Sequence, residues 1–429
     1  MIETQWEKTR AYQGFCRKIK SHTLALLCTK VFYIGVETYS WLKHCMDEKS
    51  FRKIRQAAPL QQLKQLQSYR TKQPGNVIQP EFTSPLHQAL GTFQKTPDIT
   101  VIIPAYQVED TIEACVNSVF EQAGTAEIQC IVVDDGATDE TSRKLDQIEE
   151  KFRNTPAEHV TLQVIHEKNQ GLSGARNTGL GFSQGTYIFF LDSDDRLLKH
   201  TLQEMYELAE KEQADLVVGG YETVTGKKEA EQVYQTYLPC SQITTDRKKL
   251  YQVPGYAWGK LYHNSLWQQV HFPVDYEYED TVIPMLIYPQ VKKAVSLKKP
   301  VVAYAINPQG LTASMKASNR SLDSYWIIEW CLKEQKKTEQ VFEPEQYVFL
   351  LKHFGMLTLQ ERMKGTSIQL QQLAAFQMMK LLKRLGDTLP EKTDLQLNFW
   401  ENQLQQAFLQ TDYRRLQCVG SLARWFYTN

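Results

Sequence analysis

The chain has 429 residues, with 49 Lys+Arg against 49 Asp+Glu and a formal net charge of zero. A dedicated nucleic-acid binder carries a basic excess, so this balance excludes one and predicts no nucleic-acid partner. A content of 42% hydrophobic and 11% aromatic residues excludes an acidic disordered chain, and at roughly 150 residues per domain two or three domains are expected.

The first 75 residues carry 14 Lys/Arg and 5 Asp/Glu, a local charge of +9 that the acidic remainder cancels. Leu24, Leu27, Cys28, Val31, Ile34 and Leu42 roughly follow one helical face among Phe32, Tyr33, Tyr39 and Trp41. A basic helical arm of this kind suits peripheral contact with an anionic membrane surface. It equally suits an arm packed on its own catalytic domain or on a second copy in a homo-oligomer. Charges at Lys30 and Glu37 interrupt the apolar stretch, so no membrane span is expected. The start also lacks a secretory signal. The eight cysteines are scattered without CxxC or zinc spacing, which predicts free thiols in a reducing, cytoplasmic compartment. A Pro/Gly/Ser/Thr-bearing linker is expected at 76–97.

Residues 98–320 alternate short apolar runs with helical patterns. ITVIIP (Ile99–Pro104) reads as a buried strand. Asp110, with Glu113 three residues on, predicts a capping box for the helix that follows. IQCIVVDD (Ile128–Asp135), TLQVI, TYIFFLD (Thr186–Asp192) and DLVVGG are the next strands, with helices from about Thr141, Ser173 and Leu202 between them. Buried strands alternating with helices predict βαβ units, an α/β fold with a Rossmann-like, mostly parallel sheet. Ligands of such sheets bind at the carboxyl ends of the strands.

Three polar clusters stand at those ends. Asp134-Asp135-Gly136 closes the second strand, NQGLSGARN (Asn169–Asn177) follows the third, and Asp192-Ser193-Asp194-Asp195 follows the fourth. Two carboxylates one residue apart can hold Mg²⁺, which takes one or two carboxylates plus substrate phosphates; a DSDD turn capping a helix is the plainer alternative. Asp135 can accept from a base or ribose, or form an Asx turn. The glycine-bearing loop can present N–H groups and a guanidinium to an anion, or merely enter a helix. The turn after the first strand has no glycine, which excludes the dinucleotide fingerprint, and no P-loop, G-x-S-x-G or HExxH is present.

Taken together and in this order, TVIIPAY, IVVDDGATDET, NQGLSGARNTGL and GTYIFFLDSDD resemble the family 2 glycosyltransferases of bacterial cell-surface polysaccharide synthesis, which have the GT-A fold. Trp258-Gly259-Lys260 and Tyr278-Glu279-Asp280-Thr281 match later motifs, and the resemblance spans about 98–315. It implies an inverting transferase using a nucleotide-sugar donor, most often a UDP-sugar, and a glycan or lipid-linked glycan acceptor. Pro104, Tyr106 and Asp135 would frame the nucleoside. Asn169, Gly171 and Arg176 would lie near the base, ribose and diphosphate. Asp192 and Asp194 correspond to the DxD pair for Mg²⁺ or Mn²⁺, Asp192 also contacting the donor, and Asp280 corresponds to the general base.

Inversion needs one base to take the acceptor hydroxyl's proton. Asp280 opens an apolar segment, Thr281–Tyr288, where a helix dipole would hold it ionised; a simple N-cap is the alternative. Trp258 can stack on a sugar or pack in the core. Lys260 can meet the diphosphate or lie on the surface. Gln107 and Ala137 replace the family's usual Asn and Ser. No arginine follows Tyr304, leaving Thr312 or Ser314 to supply part of the lid over the diphosphate. A protein acceptor, a nucleotidyltransferase and a non-catalytic scaffold are the rival functions. Residues 321–429 read as a helical C-terminal domain that shapes the acceptor site, supports oligomers, or both.

Overall fold

A computed structural model describes residues 48–57, 59–69, 96–122, 124–224, 242–243, 246–306, 318–390 and 393–428. These fall into two compact units, one built from 96–306 with 330–341, the other from 48–69, 318–329 and 342–428.

The first unit is the α/β unit. Its strands are β1 (Ile99–Ala105), β2 (Ile128–Asp134), β3 (Val160–His166), β4 (Tyr187–Phe190), β5 (Arg196–Leu197), β6 (Leu216–Val224), β7 (Gln242–Ile243), β8 (Lys260–His263) and β9 (Ala294–Ala305). They form one sheet in the order β3-β2-β1-β4-β8-β6-β9-β5, with β7 on β9. The block β3-β2-β1-β4 is parallel throughout, as the alternating pattern predicts. β8 then enters antiparallel to both β4 and β6, so the remainder of the sheet is mixed.

Every residue of β1 and β2 is buried, because helices cover both faces. Ile99, Val101 and Ile103 alternate onto one face with Val116 and Leu145. Ile131, Val133 and Ile165 lie on the other, with Ala175 of the helix Gly171–Phe182. That helix lies close to β1 because Gly179 has no side chain: a Cβ there would stand 2.3 Å from Ile102 Cγ2. The buried polar groups beneath it are satisfied. Thr100 donates to Gln129 Oε1 at 2.7 Å, and Gln129 Nε2 donates to the Phe182 carbonyl at 3.1 Å.

Two local expectations are corrected. The helix Ile112–Phe120 starts after Thr111, with no side-chain cap; Glu113 pairs instead with Lys151 at 2.9 Å, so Asp110 and Glu113 make no capping box. No α-helix begins at Asp280. A short 3-10 turn, Glu279–Thr281, runs into a five-residue π-turn, Ile283–Ile287, since Pro284 lacks the N–H an α-helix would use. The helix dipole is therefore no reason for Asp280 to be ionised.

The second unit is helical. Its segments include Pro344–Lys352, a π-helical stretch His353–Arg362, Ile368–Gly386, Phe399–Leu409 and Tyr413–Thr428. Asn398 and Glu401 form a capping box, as do Glu343 and Gln346. Gly420 lies against the backbone of Gly355: an added Cβ would be 2.2 Å from its carbonyl oxygen. Of the basic arm, the described part packs inward. Phe51 stacks on Tyr413 at 4.9 Å and meets Phe376 edge-on, and Leu66 is buried. The apolar stripe of residues 24–42 lies outside the described residues, as do most of the 76–97 linker, Thr312 and Ser314. Residues 330–341 cluster with the α/β unit, where Gln335 donates to the Met285 carbonyl at 3.0 Å. Among the described residues no helix is long and apolar enough to cross a membrane.

Candidate active site

The carboxyl ends of β1, β2 and β3 are tied together by side chains. Gln107 (φ +54°), just past β1, accepts from the Thr138 N–H at 2.7 Å and the Asp139 N–H at 3.2 Å. The longer amide in place of the family's asparagine thus clamps the β1 loop to the β2 loop. Asp134 closes β2 and accepts from Ala137 N–H, Ser142 Oγ and His166 Nδ1 at 3.0, 2.6 and 2.7 Å. Burial pushes its carboxyl up, but these bonds outweigh burial and hold it below the ordinary range. With all three partners internal, Asp134 braces the turn.

Asp135 is the residue turned toward the next loop. Its carboxylate accepts the Gln170 N–H at 2.6 Å, and its carbonyl accepts from Asn169 Nδ2 at 2.9 Å. Burial raises it to about 6 against the pull of the Gln170 and Gly171 N–H groups. Gly171, at φ +77°, opens the helix that carries Arg176. Asp135, Asn169 and Gly171 are thereby one cluster. Tyr106 stands exposed (48%) at the end of β1, whereas Pro104 is buried within the strand opposite Val133.

Arg176 is 2% exposed. Its Nη2 donates to Asp192 at 2.8 Å, its Nη1 donates to Glu279 at 2.7 Å, and its guanidinium carbon lies 5.2 Å from the Phe272 ring centre. Burial opposes the charge, but the two carboxylates overcome it and keep the guanidinium protonated. One side chain thus joins the end of β4 to the turn holding Asp280.

Asp192 and Asp194 lie just past β4. Burial, then the Asp192 charge, raises Asp194 to about 6. Asp195, 1% exposed, accepts from Ala305 N–H at 2.8 Å, and its second oxygen is buried without a hydrogen-bond partner. Crowded carboxylates of this kind are stabilised by a cation. No group of three or more His, Cys, Asp or Glu side chains converges among the described residues. Asp192 and Asp194 are a two-carboxylate oxygen donor set, the kind a hard cation takes together with phosphate oxygens and water.

Trp258 stacks on Tyr256 at 5.0 Å and on Tyr304 at 5.3 Å, with Tyr221 edge-on. Its ring is packed among tyrosines, and Tyr256 (39% exposed) is the member most open to solvent. Lys260 is not a surface lysine. It is 3% exposed and donates to the Tyr256 carbonyl at 2.6 Å. Burial lowers it to about 7, and Asp280 lies within electrostatic range to oppose that. A small pocket opens between Tyr221, Tyr256, Trp258 and Lys260. Asp280 sits half-buried behind Tyr278, whose φ of +63° turns the chain into the Glu279–Thr281 turn.

Glu279, Gln107 and Asp195 stand in motifs named from the sequence but were given no role in the candidate site there, and Tyr256 was not named. Glu279 carries a signal, as the partner of Asp280 in an acidic pair. Nothing local marks its bond to Arg176, 103 positions away.

A strand-end carboxylate pair, a cluster of Asp135, Asn169 and Gly171 past β2 and β3, and Asp280 on the turn that Arg176 reaches through Glu279 make up the candidate site. Residues 100–262, within the α/β unit, match the model described as Glycosyl transferase family 2. GlyA, a glycosyltransferase of Streptococcus pneumoniae, is 31% identical over 244 residues, which cover 54% of this chain and 32% of GlyA. EpsJ of Bacillus subtilis, an uncharacterized glycosyltransferase, is 29% identical over 231 residues, covering 50% of this chain and 63% of EpsJ. The chain thus spans less than two thirds of either relative. TarS of Staphylococcus aureus, a poly(ribitol-phosphate) beta-N-acetylglucosaminyltransferase, is 26% identical over 310 residues, covering 69% of this chain and 50% of TarS. The crystal structure of S. aureus TarS shares the fold, with a TM-score of 0.51 at 23% identity over 75% of this chain and 55% of that one.

Proposed function

We propose that this chain transfers a sugar from a nucleoside-diphosphate sugar, with UDP as the expected nucleotide, to a hydroxyl of a glycan or lipid-linked glycan, with inversion. The observation that carries the proposal is the chain Asp192–Arg176–Glu279, which links the DxD carboxylates to the turn bearing Asp280. A metal pair and a base held at one sheet end are what a direct displacement requires. TarS is a poly(ribitol-phosphate) beta-N-acetylglucosaminyltransferase, which supports a polymer as the acceptor class.

In this mechanism Asp135 accepts from the nucleoside, with Tyr106 beside it and Asn169 and Gly171 holding the loop. Asp192 and Asp194 would hold Mg²⁺ or Mn²⁺, and its charge when bound would offset that on the departing diphosphate. Asp280 takes the proton from the acceptor hydroxyl as its oxygen attacks the anomeric carbon. The bond from that carbon to the diphosphate oxygen breaks, and its electron pair leaves with the nucleotide. The aromatic group around Trp258 walls the pocket next to Asp280 and excludes water from the reacting sugar. The proposed setting is the cytoplasmic face of the membrane, with the net charge of +9 in residues 1–75 supporting contact with anionic lipid. Loss of liposome flotation on deleting residues 1–75 is the expected result; unchanged flotation counts against it.

The test is a panel of nucleotide sugars with Mg²⁺ or Mn²⁺, scored by nucleotide release. Release from at least one UDP-sugar, abolished by EDTA and by Asp194→Ala, is expected. Release indifferent to EDTA removes the metal role, and no release with any donor removes the transferase role.

A further inference from the structure

We infer that Arg176 is a positioning residue and not a ligand of the donor diphosphate: its buried guanidinium holds the Asp192 carboxylate and the Glu279–Asp280 turn in one frame, and so sets where the base stands relative to the metal-binding pair. The inference rests on the glycosyltransferase reading above for its catalytic consequence.

Access comes first. At 2% exposure, with Nη1 on Glu279 and Nη2 on Asp192, the guanidinium is shielded from a phosphate by burial and held away by two carboxylates, although its Nε–H is buried without a partner. Displacing Glu279 would leave a carboxylate of low exposure unpaired, which is unfavourable.

The scaffold around it comes second. The helix carrying Arg176 is seated on β1 by the Gly179–Ile102 approach, so its side chain starts from a fixed point. The next residue, Asn177, clamps the opposing segment at both of its amide atoms. Its Nδ2 donates to the Phe272 carbonyl at 2.8 Å, and its Oδ1 accepts the Phe272 N–H at 2.8 Å. Arg176 itself lies over the Phe272 ring. Residues 176 and 177 therefore grip the 272–279 segment at two places, Phe272 and Glu279.

The held segment comes third. It contains two non-glycine residues in the left-handed region, Asp275 at φ +65° and Tyr278 at φ +63°. Such conformations persist where the surroundings over-determine them, and they cluster at functional sites. Glu279 is the residue directly after the second of these and directly before the base. A planar guanidinium can engage two carboxylates along different directions at once, which a lysine ammonium on the same stem does less well.

The experiment uses the full chain as wild type, Arg176→Lys, Glu279→Gln and the double variant. Each is measured for UDP binding without metal, for amide exchange across residues 275–282, and for kcat and donor KM. Both single variants are expected to bind UDP within about threefold of wild type, since binding energy to the nucleotide is not routed through the strut. Both are expected to exchange at least about tenfold faster across 275–282. Both should lose about 50-fold or more in kcat, as a misplaced base does, with donor KM little changed. The double variant should be no worse than the worse single variant, because the two residues act as one link.

UDP binding weakened tenfold or more in Arg176→Lys with unchanged exchange at 275–282 would falsify the strut and make Arg176 a diphosphate ligand. Full kcat in Glu279→Gln overturns it too. If Arg176→Lys does not fold, Glu279→Gln retains the guanidinium and its Asp192 bond and carries the same measurements. Wild-type protein that binds UDP but releases nucleotide from no donor defeats the transferase reading alone; the exchange data still decide the strut.

Discussion

The two units bury polar groups in opposite ways. At the strand ends of the α/β unit the buried groups are ionisable and face one another: Arg176 between Asp192 and Glu279, Asp194 and Asp195 side by side, Lys260 near Asp280. In the helical unit the central buried polar network is built mainly from neutral side chains, with Arg362 donating to Ser324. Ser324 bonds His353 and Thr358 at 3.1 and 2.8 Å, and Gln360 bonds Gln417 at 3.0 Å. Buried charge is costly and is kept where it does chemistry, whereas neutral networks mainly specify packing. Burial raises Asp195 to about 9 and Asp194 to about 6, while it lowers His353 to about 3. The same physical cause therefore acts on a crowded carboxylate cluster in one unit and on a single histidine in the other.

That contrast can be broken most directly at the base. Asp280→Asn should lower nucleotide release by roughly 10²–10⁴-fold, with the thermal midpoint unchanged; a loss of stability in parallel with activity would make Asp280 structural. In the helical unit, Gly420→Ala forces a Cβ into the Gly355 carbonyl and should cost about 1–3 kcal/mol. Calorimetry should detect the lower midpoint while UDP binding stays unchanged.

His353 sharpens the comparison through pH. Its folded pKa is depressed below the unfolded value, so the unfolded chain binds the extra proton. Stability is then complete above about 6.5 and is lost progressively as pH falls from there toward about 3. Denaturant titrations of His353→Gln should show that slope flattened. The smallest effect belongs to Asp135, which stands at about 6. Acidifying below pH 6 protonates it, and UDP affinity should fall by about two- to fivefold as its acceptor is lost. Asp135→Asn should bind more weakly and show no such pH dependence; an unchanged pH slope in that variant assigns the effect elsewhere.

Much of this protein was legible along the chain because its determinants are local. Strands such as Ile99–Ala105 and Ile128–Asp134 announce themselves as apolar β-branched runs, and the strand-end clusters follow them directly. Glycines at 171 and 179 and the spacing of Asp192 and Asp194 carry the family resemblance for the same reason. The antiparallel entry of β8 was not legible, since its four residues, Lys260–His263, have no alternation long enough to read. Nor was the short turn at Asp280 legible, where Pro284 and the left-handed Tyr278 displaced the expected helix.

The sequence by itself determined which residues this protein brings to its strand ends, because side-chain alternation and turn chemistry act over a few positions. The tertiary structure alone decided what they do to one another. Arg176 meets Glu279 across 103 positions, Asp195 holds Ala305 across 110, and Lys260 is buried within electrostatic range of Asp280. Such pairings depend on how the sheet closes, and so do the burial and charge that shift each group.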